Sequence, residues 1–109
     1  MRINKRDIRK EINYNGEIYQ FEKTLDGTYN KANIYKKDNK LILLSYDTVV
    51  AQAIEHASIT AFGWYSATTA RHINKFFKEF GIYKGMNKKE LEDMGQNSKY
   101  LYLDWKGDV

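Results

Sequence analysis

The chain has 109 residues, 42% of them hydrophobic, 15% aromatic and 29% charged, which is material for one folded core and too little length for two. It contains no cysteine, so a disulfide framework, a thiolate metal site and a cysteine nucleophile are all excluded, and a reducing compartment is expected. The polar start cannot serve as the apolar region of a signal peptide, and no stretch approaches the roughly 18 apolar residues of a membrane span. A cytoplasmic chain with no membrane partner is therefore the expectation.

In chain order, the first feature is a basic arm over residues 1–10. It holds Arg2, Lys5, Arg6, Arg9 and Lys10 against Asp7, and so carries the whole net charge of +4. Such an arm either tracks an anionic surface or frays as a solvated terminus. Asn15-Gly16 is the commonest two-residue hairpin signal, because a type I′ turn needs positive φ at both central positions. Ile12 and Tyr14 on one side of it, and Tyr19 and Phe21 on the other, alternate with period two, as strands do. Residues 25–28 read as a turn. Residues 33–36 and 41–46 flank the polar run Lys37-Asp38-Asn39-Lys40, which predicts a second hairpin. Leu41-Ile42-Leu43-Leu44 is apolar on both faces and predicts a central strand covered on each side. Two more strands, over 48–53 and 58–62, are expected around a turn near Glu55-His56.

The period then changes. From residue 67 to 80, Ala70, Ile73, Phe76, Phe77 and Phe80 recur at three- and four-residue steps, the stripe of an amphipathic helix. Ser66 is the expected cap and Gly81 the expected stop. Arg71, Lys75 and Lys78 fall opposite the stripe, with His72 and Asn74 on its flanks. A second, short helix is signalled by Asn87 with Glu90 three residues on, and by a stop at Gly95. In the tail, Leu101, Leu103 and Trp105 alternate with Tyr100, Tyr102 and Asp104, which predicts an edge strand or a segment lying across the core. The fold class that results is α+β: an antiparallel sheet of about four to six strands, one main amphipathic helix packed on one face, and a second short helix, in a single domain over 1–109.

Chemistry-bearing patterns are sparse. His56 and His72 stand sixteen residues apart on different elements, no carboxylate pair is singled out by spacing, and the seven glycines form neither a P-loop nor a dinucleotide fingerprint. No catalytic residue, metal ligand or cofactor is expected, and the chain is read as a non-enzyme. One cluster stands out: Ser66, Thr68, Arg71 and His72 at the start of the long helix, continued by Lys75 and Lys78. A helix N-terminus attracts anions, so these residues, with Arg2, Lys5, Arg6 and Arg9, are the candidate anion- or partner-binding set. The alternative is that Ser66 and Thr69 only cap the helix while His72 packs at the sheet edge. A catalytic use of His72 beside Ser66 or Thr68 lacks the third group that would orient such a base. Tyr14, Tyr19, Tyr29, Tyr35 and Tyr46, interleaved with Lys36, Lys37 and Lys40, fit either a base-stacking surface or ordinary sheet packing.

The runs Ser45-Tyr46-Asp47-Thr48-Val49-Val50-Ala51 and Trp64-Tyr65-Ser66-Ala67-Thr68-Thr69-Ala70-Arg71-His72-Ile73-Asn74 resemble small uncharacterised proteins of phages and mobile elements of low-GC Gram-positive bacteria. That resemblance implies a setting and no particular activity. In that setting the expected function is a non-enzymatic, anti-CRISPR-like inhibitor that occupies the surface of a host protein or ribonucleoprotein defence nuclease. The alternative is a nucleic-acid-binding accessory or regulator.

Overall fold

The computed structural model describes residues 8–103. Six strands follow one another: β1 (Glu11–Tyr14), β2 (Glu17–Thr24), β3 (Ala32–Lys37), β4 (Lys40–Ser45), β5 (Thr48–Ile54) and β6 (Ser58–Ala61). Helices α1 (Ala67–Glu79) and α2 (Lys88–Gln96) come next, and the two-residue strand β7 (Leu101–Tyr102) ends the described chain. The strands form one antiparallel sheet in the order β1-β2-β3-β4-β5-β6-β7, so each strand lies beside its neighbour in the sequence. The sheet has seven strands where four to six were expected. The seventh is the tail segment, whose alternation left open an edge strand or a segment lying across the core; the pairing of Ser58 with Tyr102 and Ile59 with Leu101 makes it an edge strand. Among the described residues no helix is long and apolar enough to cross a membrane.

Local chemistry explains most boundaries. Asn15 and Gly16 take φ of 53° and 81°, the type I′ turn that their sequence predicts. Ser66 caps α1 by accepting from the Thr69 amide at 3.1 Å. Asn87 and Glu90 exchange the two hydrogen bonds of a capping box at 2.8 and 2.9 Å. Gly95, expected to stop α2, lies inside it. Its role is close approach: a Cβ there would fall on the Phe62 carbonyl, so the absence of a side chain lets α2 rest against the end of β6. Tyr46, expected inside a strand, is instead the first residue of the two-residue turn between β4 and β5.

The core is built around β4. Leu41 and Leu43 face the helices and pack with Ile34, Ala51, Ile59, Ile73, Phe76, Phe77 and Leu91. Ile42 and Leu44 face the other way and pack with Tyr19 and Tyr35, bordered by Ile12, Tyr14, Phe21 and Val49. Both sides of the Leu-Ile-Leu-Leu run are thus buried, by helices on one face and by an aromatic layer on the other. The Tyr35 hydroxyl donates to the Arg9 carbonyl at 3.1 Å, which ties the segment before β1 over that aromatic layer. Asn74 of α1 donates to the Met86 carbonyl at 3.2 Å and accepts from the Met86 amide at 2.8 Å. This two-point clasp holds the loop between the helices.

Candidate functional site

The sheet end that carries the β2–β3 loop and the β4–β5 turn lies beside the first turns of α1. The loop is tied down from within. The Leu25 amide donates to the Ala32 carbonyl at 2.9 Å, the Thr28 hydroxyl to the Leu25 carbonyl at 2.8 Å, and the Lys31 amide to the Thr28 carbonyl at 2.9 Å. Asn33, itself buried, donates to the Asn30 carbonyl at 3.0 Å. With Leu25 and Thr28 buried, the loop turns outward at Tyr29, which is 88% exposed. Tyr29 and Asn30 both adopt left-handed backbone, with φ of 53° and 68°.

Tyr46 is held in the same way. Its amide donates to the Lys31 carbonyl at 2.8 Å, and its φ is 57°. Its ring centroid lies 5.8 Å from that of His72, and the Lys31 ammonium sits 5.7 Å from the ring centre, within cation–π range. The two loops are therefore locked to each other and to α1. Left-handed backbone costs an L-residue roughly 1–2 kcal/mol, and both tyrosines in it, Tyr29 and Tyr46, stand at this end of the sheet and open to solvent.

Each residue of the sequence-predicted set has a definite place. Arg2, Lys5 and Arg6 lie outside the described residues. Arg9 forms an exposed ion pair with Asp47 at 2.9 Å. The Ser66 oxygen is taken up as the α1 cap, and Thr68 accepts from the Arg71 guanidinium at 3.2 Å. Arg71, Lys75 and Lys78 line the exposed face of α1, with the Lys75 ammonium over the β2–β3 loop at Gly27. His72 is packed inside, the place that the alternative reading gives it. It is only 5% exposed, and its Nδ1 shares a 2.9 Å hydrogen bond with the Ser45 hydroxyl, which lies 3.0 Å from the Thr69 hydroxyl. Neither Ser66 nor Thr68 is its partner. Burial, and then the positive charges of Arg71 and Lys75, push its pKa below the ordinary histidine value, so at neutral pH it is an uncharged clip between β4 and α1 rather than a surface cation. The tyrosines divide between the two uses that the sequence left open. Tyr19 and Tyr35 are buried core, while Tyr29 and Tyr46 are exposed.

What comes together is a patch: Lys31 over the Tyr46 ring, that ring against His72, and Arg71 and Lys75 near enough to His72 for their charges to act on it, with Tyr29 exposed on the same β2–β3 loop as Lys31. Its one adjoining acid on the β4–β5 turn, Asp47, is occupied by Arg9. The sequence singled out the α1 cations but missed Lys31. No periodicity links the residue before β3 to a helix some forty positions on.

Residues 16–96 match the model of a family of unknown function, DUF8033. The chain belongs to that family. The matched span runs from the β1–β2 turn to the last residue of α2 and includes Tyr29, Lys31, Tyr46, Arg71, His72 and Lys75. Arg9 and β7 lie outside it. No curated protein and no solved structure matches the chain.

Proposed function

We propose that this DUF8033 member is a non-enzymatic binding protein that occupies an anionic surface of a bacterial defence nuclease, either a host protein or a ribonucleoprotein. The observation that carries this reading is the gathering at one end of the sheet of Lys31 over the Tyr46 ring and of Arg71 and Lys75 about His72, against which that ring lies. Cations so placed steer an anionic partner to that end, and a tyrosine anchor beside them adds contact area at low entropic cost. The resemblance to phage and mobile-element proteins supplies the partner class, because small proteins without an active site in that setting often act by occupying a surface of a host machine. The basic arm over 1–10 adds charge of the same sign.

The test is capture of the nuclease from host lysate on immobilised protein, with and without nuclease digestion of the lysate, followed by a cleavage assay with the purified nuclease. Wild-type protein should retain and inhibit it. The triple variant Lys31→Glu, Arg71→Glu, Lys75→Glu should keep its melting temperature and lose both effects, most clearly at low ionic strength. Turnover of a nucleotide or nucleic acid by the purified protein, abolished by Ser45→Ala or His72→Ala, would show that the reading is wrong in kind. An alternative role as a nucleic-acid accessory draws on the exposed ring of Tyr29.

A further inference from the structure

We infer that Tyr29 and Tyr46 are base-stacking platforms and that the anionic element taken by this patch is single-stranded nucleic acid. The inference rests on the reading that this end of the sheet is the working surface. Three observations carry it.

Tyr29 is 88% exposed on a loop that is otherwise tied down by Leu25, Thr28 and Asn33. It presents a ring to solvent from a rigid base, as stacking requires. Its left-handed backbone, and that of Tyr46, is unfavourable for a bulky residue, and glycine or asparagine would serve each turn better. Strain of this kind, held at exposed aromatics, marks positions retained for contact rather than for folding. The cations complete the arrangement. Lys31 lies against the Tyr46 ring, and Arg71 and Lys75 stand one helical turn apart on the exposed face of α1, a spacing that suits neighbouring phosphates of an extended strand. Aromatic platforms beside a cationic track are the elements by which single strands are bound without strong sequence preference. A duplex offers phosphates but keeps its bases stacked, so it would leave both rings unused. An acidic protein face would pair with the cations and use the rings as contact area, but it does not set flat bases beside successive phosphates.

The test is fluorescence anisotropy with labelled oligothymidylate and oligouridylate, whose comparison separates DNA from RNA, with inorganic polyphosphate as a competitor that lacks bases. Both oligonucleotides, or one of them, should bind. Tyr29→Ala and Tyr46→Ala should each weaken binding about tenfold, the lower part of the stacking range per base, without changing the salt dependence. Arg71→Ala and Lys75→Ala should each reduce the slope of log K against log salt by about 0.7. Tyr29→Gly supplies the folding control. By relieving the left-handed strain it should raise the melting temperature by several degrees while still losing affinity, a combination that a structural role for the ring would not produce. The inference is overturned if Tyr29→Ala binds like wild type, or if polyphosphate competes as well as unlabelled oligonucleotide. It is also overturned, alone, if neither oligonucleotide binds while the purified nuclease is captured and inhibited. Oligonucleotide binding with no nuclease captured would leave it standing and remove the partner class proposed above.

Discussion

His72 Nδ1 and the Ser45 hydroxyl lie 2.9 Å apart and join α1 to the last residue of β4, directly beneath Tyr46. Because both side chains are buried, at 5% and 2% exposure, neither can turn to water if the other is removed. Ser45→Ala should therefore cost about 1–3 kcal/mol, the penalty for a buried polar atom left without a partner. Chemical denaturation of the variant checks this, and an unchanged midpoint would mean that the bond contributes nothing. Ser66→Ala, which removes only an exposed helix cap, should cost about 1 kcal/mol.

The same histidine makes stability depend on pH. Its pKa is lowered in the fold, by burial first and then by Arg71 and Lys75, so the unfolded chain binds the proton more readily. Stability is fully present above about pH 6.5, the ordinary histidine value, and is lost as pH falls from there through the folded pKa. Ser45, Thr69 and Tyr46 pack against the ring without supplying a negative charge. Glu17, Glu90 and Asp93, held below their ordinary values by hydrogen bonds to Lys40, Lys84 and Lys99, act only in a lower window, beneath their ordinary values of 4.5, 4.5 and 3.8. Melting temperatures between pH 8 and pH 5 should fall for the wild type, and the slope should flatten in His72→Gln.

Gly95→Ala gives a prediction of sign. In an exposed helix the change stabilises by about 1 kcal/mol, but here the new methyl meets the Phe62 backbone carbonyl, which cannot give way as a side chain could. Destabilisation by about 1–3 kcal/mol is expected from such overpacking. A higher melting temperature would show that α2 does not rest on the end of β6.

Phe77 has no exposed surface and lies among Leu43, Ile73 and Phe76. Phe77→Asp places a carboxylate there with no cation to receive it, and the chain should fail to fold. Lys75→Ala, two residues earlier on the exposed face, should shift stability by no more than about 0.5 kcal/mol. Circular dichroism of the two variants side by side tests the assignment of the helix faces.

What the sequence determined by itself is whatever depends on a few neighbouring residues. The Asn15-Gly16 turn, the Ser66 cap, the Asn87 capping box and the change from period two to period 3.6 at α1 were legible because each is decided within one turn or one face. The burial of Leu41-Ile42-Leu43-Leu44 on both sides was legible for the same reason, since no alternation was present. Tertiary structure alone decided the rest. Of the two readings that the tail alternation left open, the edge strand β7 forms because β6 offers an edge, Gly95 is needed because Phe62 lies beneath it, and Tyr46 turns because the Leu43/Leu44 register shift brings Ser45 opposite Thr48. The candidate surface belongs to this second class. On its own helix His72 reads as a flank residue, and only the hydroxyl of Ser45, from a strand 27 residues away, draws it into the interior. Lys31 joins Arg71 and Lys75 only because the β2–β3 loop folds over the β4–β5 turn. Contacts between residues distant in the chain are set by the packing of the sheet against the helix, and no local pattern encodes them.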